Sequence, residues 1–264
     1  MIVSDFTGVS VILPAYNEAQ HIEACVRNVW AAFPKARVIV VDNNSQDQTG
    51  TIARLMGVTV LHEPRAGKGY AVVTGVQHAL AEGCDWVVFH DADNEYSARH
   101  VARLVLTCQL EVSELTEEFA FKSDALAQPP RPPDVEPDAP TWLMGVGLRE
   151  VTLAHVLWRS LLANFVANLA LRLSLRRTPP ADILTGSRVL SADLARHLFA
   201  DSQGKAPYTG FELETAITRK AMVAKAQIVC RSVRYEPREA SQKKIKPWDL
   251  WGIVKAAWGI DAQR

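Results

Sequence analysis

Asp91-Ala92-Asp93 closes the apolar run Trp86-Val87-Val88-Phe89-His90, and Glu95 follows two positions later. A short buried strand that ends in spaced carboxylates presents oxygen ligands at the carboxyl edge of a sheet, where open α/β folds bind ligands. Alternate residues of an extended segment point the same way, so Asp91, Asp93 and Glu95 are expected to converge. Hard oxygen donors suit Mg²⁺ or Mn²⁺, and Mg²⁺ is commonly shared between one or two carboxylates and substrate phosphates. The plain alternative is a solvated turn, because an Asp-x-Asp alone often arises by chance.

Three further loops follow apolar runs. Val9 to Leu13 leads into Pro14-Ala15-Tyr16-Asn17-Glu18. Arg37 to Val41 ends at Asp42-Asn43-Asn44-Ser45, then Asp47 and Thr49. Thr59 to His62 leads to Arg65-Ala66-Gly67-Lys68-Gly69. In a parallel sheet all four loops share one edge and can build one pocket, which is more specific than any single motif. A Walker A loop is excluded because His62 stands where its first glycine belongs. No dinucleotide-type G-x-G-x-x-G follows the first strand.

The elements that must position these loops alternate. Strands are expected at 9–13, 37–41, 59–62 and 86–90, and helices at 19–33, 46–56, 68–81 and 98–110. In the first helix Ile22, Val26, Val29, Trp30 and Phe33 share an apolar face. This alternation predicts an α/β fold with a mostly parallel central sheet flanked by helices.

Composition changes at 111–141, where Gln128-Pro129-Pro130-Arg131-Pro132-Pro133 forbids helix interior and central strand. This stretch reads as a surface insertion, either a plain flexible loop or a polyproline segment that binds a partner. Residues 151–177 read as one long apolar helix or a helix pair, with Leu161, Leu162, Phe165, Leu169 and Leu173. His155, Arg159, Asn168, Arg172 and Arg176 form a polar stripe on it. Such a segment suits a membrane interface, the core or a dimer contact equally. Pro179-Pro180 stops it, and α/β character returns over 182–234, with a helix at 211–223 and a strand at 226–232. The tail 235–264 carries Lys243, Lys244 and Lys246 with Trp248, Trp251 and Trp258.

Bulk properties narrow the class. Lys and Arg number 29 against 29 Asp and Glu, so wholesale nucleic-acid binding is not favoured. The four cysteines are scattered without metal spacing, which fits reduced thiols in a cytoplasmic protein. The segment Met1-Ile2-Val3-Ser4-Asp5 has no basic n-region, and no stretch reaches a spanning length.

Together the four loops resemble family 2 glycosyltransferases of the GT-A nucleotide-diphospho-sugar transferase fold. Within that family, Asp182-Ile183-Leu184-Thr185-Gly186-Ser187-Arg188 and Gly210-Phe211-Glu212-Leu213-Glu214 are most similar to the dolichyl- or polyprenyl-phosphate sugar synthases. The resemblance is strong over 9–110, weaker over 145–246, and skips the proline-rich insertion. It implies a nucleotide-sugar-binding half at 1–110, the insertion at 111–141, an acceptor half at 142–234 and a closing tail at 235–264.

The resemblance also implies roles. Pro14, Ala15, Tyr16 and Glu18 would frame the base and ribose, and Asp42 and Asn44 would contact them. Gly67 and Lys68 would grip the diphosphate at a helix start, where a close backbone and positive charge favour anions. Asp91 and Ala92 would lie against ribose or sugar. Asp91, Asp93 and Glu95 would hold Mg²⁺ or Mn²⁺. Asp93 and Lys68 would stabilise the leaving diphosphate. Glu212 would be the base for a hydroxyl acceptor. Asp182 would belong to the acceptor side, with Arg149 and Arg188 on an acceptor phosphate. Lys243 and Lys244 would lie in a loop that closes over both substrates.

The expected activity is inverting transfer of a sugar from a nucleoside-diphosphate sugar of GDP-mannose or UDP-glucose type to polyprenyl phosphate. The expected setting is the cytoplasm, with room for peripheral contact on the cytoplasmic membrane face and for a homodimer. The alternatives are a saccharide or small-molecule hydroxyl acceptor and, from another class, a non-catalytic nucleotide-sugar binding protein.

Overall fold

The computed structural model describes residues 6–124, 142–150, 158–200, 208–236 and 247–260. Among the described residues fifteen elements follow one another: β1 (Val9–Ala15), α1 (Ile22–Ala32), β2 (Arg37–Asp42), α2 (Thr49–Leu55), β3 (Thr59–His62), α3 (Lys68–Ala81), β4 (Trp86–Phe89), α4 (Ala98–Asp124), β5 (Leu143–Glu150), α5 (Trp158–Leu175), β6 (Arg188–Ser191), α6 (Ala192–Phe199), α7 (Glu212–Val223), β7 (Gln227–Arg234) and α8 (Pro247–Trp258).

Seven strands form one sheet in the order β3-β2-β1-β4-β6-β5-β7. β1 pairs in parallel with both β2 and β4, so successive crossovers leave it in opposite directions. A crevice opens at such a switch point, beyond the carboxyl ends of the strands. β6 runs antiparallel to β4 and β5, and β7 is parallel to β5. The carboxyl ends of β5 and β7 therefore return to the edge that carries the four loops. The start of β6 lies there too, because Arg188 pairs with Phe89.

Strand alternation divides the core. Val9, Val11 and Leu13 of β1 pack with α1 and α4 on one face, while Ile12 packs with α3 and the second-half helices on the other. Each fully buried aliphatic side chain of this kind contributes about 1.5–3 kcal/mol. A third cluster joins Ala163, Ala167, Ala170 and Leu171 of α5 to Ile253 and Ala257 of α8.

The expected elements of the first half are present, with ends shifted by a few residues. Trp30, expected on the buried face of α1, is turned outward. The helix expected to stop at Leu110 runs to Asp124, since Glu, Leu and Ala continue it and no proline intervenes. The proline run at 128–133 lies outside the described residues. β5 was hidden because Gly145 and Gly147 interrupt its apolar pattern.

Candidate active site

The β1 and β2 loops are laced together by backbone donors. Asn17, held at φ 55°, donates its N–H to Ser45 Oγ at 3.0 Å and accepts the Gln46 N–H at 2.8 Å. The Glu18 N–H donates to Thr49 Oγ1 at 2.8 Å. Asp42 is buried and accepts the Ser45 N–H at 3.0 Å, which makes it a turn-forming carboxylate as well as a candidate ligand. Tyr16 is 57% exposed at the rim, where a base can lie against it. Asn44 is also exposed, and its φ of 60° turns the loop there.

Asn43, given no role in the sequence reading, organises the third loop. Its amide donates to the Glu63 and Arg65 carbonyls at 3.2 and 2.6 Å and accepts the Gly67 N–H at 2.9 Å. Glu63 adds a second brace by accepting from Arg65 Nε and Nη2 and from the Thr74 hydroxyl. The Arg65 bonds, and then that of Thr74, outweigh burial and hold the Glu63 carboxyl at about 2. A depressed carboxyl stabilises the fold fully above its unfolded value near 4.5 and loses that contribution as pH falls through 2. Glu63→Gln is expected to cost about 1–2 kcal/mol at pH 7, because exposure of Arg65 weakens the pair. Urea midpoints of the two proteins should differ at pH 7 and converge towards pH 2; a pH-independent gap would contradict this.

Lys68 opens α3 directly after Gly67, whose φ of 131° suits glycine. Its ammonium lies 2.8 Å from Asp91 Oδ1 and 2.8 Å from Glu214 Oε1, and the side chain is 32% exposed. Burial opposes its charge, but the Asp91 and Glu214 carboxylates outweigh that and hold its pKa above the lysine range. Asp91 also packs against Gly186, where an added Cβ would meet its Oδ2 at 2.0 Å. Ala92 is buried between the two aspartates. Burial, followed by the charges of Asp93 and Asp91, pushes the Cys25 thiol up to about 12.

The three carboxylates do not converge. Asp93 is buried and accepts the Glu95 N–H at 3.2 Å. Asn94, at φ 61°, breaks the extended alternation on which the expectation rested. Glu95 turns away and accepts the Tyr235 hydroxyl at 2.9 Å. Among the described residues no group of three His, Cys, Asp or Glu side chains could hold a metal ion. Asp91 and Asp93 remain as two hard donors on one strand end, a set that fits a divalent cation shared with a diphosphate.

The acceptor-side expectations need larger correction. Arg149 forms a two-pronged pair with Asp182, Nε to Oδ2 at 2.6 Å and Nη2 to Oδ1 at 2.8 Å, and reaches Ser160 Oγ at 3.1 Å. Asp182 is thus the counterion of Arg149. Arg188 is 1% exposed, because pairing of β6 between β4 and β5 encloses it, and it donates to the Ile183 carbonyl. Enclosed in this way, it does not face an acceptor phosphate. Glu212 accepts the Thr209 and Gly210 N–H groups at 3.2 and 3.1 Å, closing its own turn. The carboxylate joined to the Lys68–Asp91 pair is Glu214, two residues on. Lys243 and Lys244 lie outside the described residues.

The segment at the end of β7 is tied to the aspartate loop. Glu236 N–H donates to the Glu95 carbonyl at 2.8 Å, and Ser97 N–H to the Arg234 carbonyl at 3.0 Å. The rings of Tyr96 and Tyr235 are 5.0 Å apart, and the Tyr96 hydroxyl accepts the Gly186 N–H at 3.2 Å.

Residues 10–109 match the family model Glycosyl transferase family 2. An uncharacterized glycosyltransferase of Mycobacterium tuberculosis is 40% identical over 98 residues, 37% of this chain and 42% of that protein. The polyprenol monophosphomannose synthase of Mycolicibacterium smegmatis is 33% identical over 102 residues, 36% of this chain and 38% of that protein. The chain thus spans less than half the length of these relatives. The fold is shared with glucosyl-3-phosphoglycerate synthase from Mycobacterium tuberculosis, crystallised with Mn²⁺, uridine-diphosphate and phosphoglyceric acid. That match has a TM-score of 0.60 and 18% identity, and covers 97% of this chain and 80% of the other.

Proposed function

Residues 10–109 place the chain in glycosyl transferase family 2, and from that premise we propose that it transfers a sugar from a nucleoside-diphosphate sugar to a polyprenyl phosphate. The observation that carries the donor half is the Lys68–Asp91 ion pair at the β1–β4 switch point, with Asp93 two residues farther along the same loop. Pro14, Ala15, Tyr16, Glu18, Asp42 and Asn44 stand at or just after the carboxyl ends of β1 and β2 and would take the base and ribose. Gly67, at φ 131°, sets the start of α3, whose first-turn N–H groups would favour the diphosphate.

In the proposed reaction the anomeric carbon–oxygen bond to the diphosphate breaks as the acceptor oxygen bonds from the opposite face. Asp91 and Asp93 would hold Mg²⁺ or Mn²⁺, which when bound supplies positive charge to the leaving diphosphate. Lys68 adds a second positive charge there. A lipid phosphate is already anionic and needs no base. The engagement of Glu212 with its own turn supports that acceptor over a hydroxyl.

The outer face of α5 supports a lipid acceptor as well. Leu161, Leu162, Phe165, Leu169 and Leu173 are exposed beside Arg172 and Arg176. Trp251 and Trp258 are exposed on α8, which packs on the inner face of α5. Apolar surface with basic neighbours and tryptophans suits the headgroup boundary of an anionic membrane. Among the described residues no helix is long and apolar enough to cross a membrane. Phe165→Asp is expected to weaken binding to phosphatidylglycerol vesicles about tenfold or more, without changing donor hydrolysis. Equal vesicle binding by both proteins would remove the membrane role of α5.

The functional test is product formation with UDP- and GDP-sugars, Mn²⁺ and either undecaprenyl phosphate or simple saccharides. Transfer to the lipid that survives Glu212→Gln supports the proposal. Transfer only to a saccharide, lost in Glu212→Gln, would replace it with the hydroxyl-acceptor reading.

A further inference from the structure

We propose that Lys68 is an exchangeable internal cation that keeps a divalent metal off Asp91 until a donor diphosphate draws the ammonium away. The inference rests on the donor reading above and concerns the order in which its parts assemble.

One ammonium serves two carboxylates at 2.8 Å each, and both carboxylates are largely enclosed. A metal placed on Asp91 while Lys68 stays would set two cationic centres side by side, and like charges at that range repel strongly in a partly desolvated site. One group must therefore move. Asp91 has little room to do so, because its carboxylate is packed against Gly186. Lys68 is the more exposed partner and sits on a flexible stem at the start of α3. Glu214 gives the displaced ammonium a place to remain: it is buried on α7 and holds Lys68 independently of Asp91. Lys68 can then turn to the diphosphate while keeping one counterion. The consequence is ordered assembly, in which metal and nucleotide enter together and the nucleotide-free protein has low affinity for the metal. Glu214 acts as a positioning residue that works through Lys68.

The test is direct Mn²⁺ binding, followed by the electron paramagnetic resonance signal of free Mn²⁺ with nucleotide-free protein. Wild type should bind weakly, and Lys68→Gln should bind about tenfold more tightly or better. Lys68→Gln combined with Glu214→Gln leaves the charge of the site unchanged and guards against misfolding. It should show the same gain, and Asp93→Asn added to it should abolish that gain. Tight Mn²⁺ binding by nucleotide-free wild type would overturn the proposal, as would unchanged affinity in both Lys68 variants. Wild type titrated with Mn²⁺ plus UDP or GDP separates the two levels. If a ternary complex forms but the Lys68 variants gain nothing, only the exchange is wrong. If no ternary complex forms with either nucleotide, the donor reading falls and the exchange falls with it.

Discussion

Asp93→Ala is expected to reduce sugar transfer by about a hundredfold to a thousandfold while leaving the fold nearly intact. The catalytic loss follows from removing one of two carboxylates that would position positive charge against the leaving diphosphate, the scale seen when a preorganised electrostatic group is deleted. The structural loss is small because the carboxylate's bond to the Glu95 N–H closes a local turn. A bond of that kind is worth about 1 kcal/mol, or roughly 2–4 °C in melting temperature for a protein this size. Initial rates and a thermal melt on the same preparation check both halves. Wild-type turnover in Asp93→Ala would remove Asp93 from the catalytic machinery. A large melting shift would make it a structural residue instead.

Gly186→Ala is expected to lower transfer about a hundredfold, although position 186 would touch neither substrate. The added Cβ would meet Asp91 Oδ2 at 2.0 Å and Cγ at 2.7 Å, so the carboxylate must move by about an ångström. That movement breaks its pairing with Lys68. It also disturbs the Gly186 N–H bond to Tyr96, which ties the β6 approach to the aspartate loop. Affinity for UDP or GDP with Mn²⁺ should fall together with turnover. Unchanged affinity beside low turnover would mean that Asp91 acts on the acceptor and not on the donor.

The parts of this site legible in the sequence are those set by neighbours along the chain. Apolar runs ending in Asp91 and Asp93, or leading to Gly67-Lys68, announce strands with polar carboxyl ends, and β1 to β4 form where those runs stand. The failures have two physical sources. One is a single backbone angle: Asn94 at φ 61° sends Glu95 to Tyr235, and a rule of alternation cannot foresee it. The other is distance along the chain. Glu214 meets Lys68 across 146 positions, and Glu95 meets Tyr235 across 140. Arg188 was expected on an acceptor phosphate because the resemblance of its motif implied it. Antiparallel pairing of β6 between β4 and β5 encloses it, and that pairing depends on β5, whose glycines hid it.

These corrections shift weight from a three-carboxylate centre to a two-carboxylate site completed by the donor. They also leave Arg149 bound to Asp182, so the surface that meets the acceptor is better sought near α5 than among the buried arginines.

The most direct measurement of the donor site is calorimetric titration of the wild-type protein with UDP and GDP, with and without Mn²⁺, repeated on Asp93→Ala. The account predicts that one nucleotide binds with Mn²⁺, that binding weakens sharply when the metal is chelated, and that Asp93→Ala loses the metal-dependent part. Binding that is equally strong with chelator and in Asp93→Ala, or no binding of either nucleotide, would contradict it.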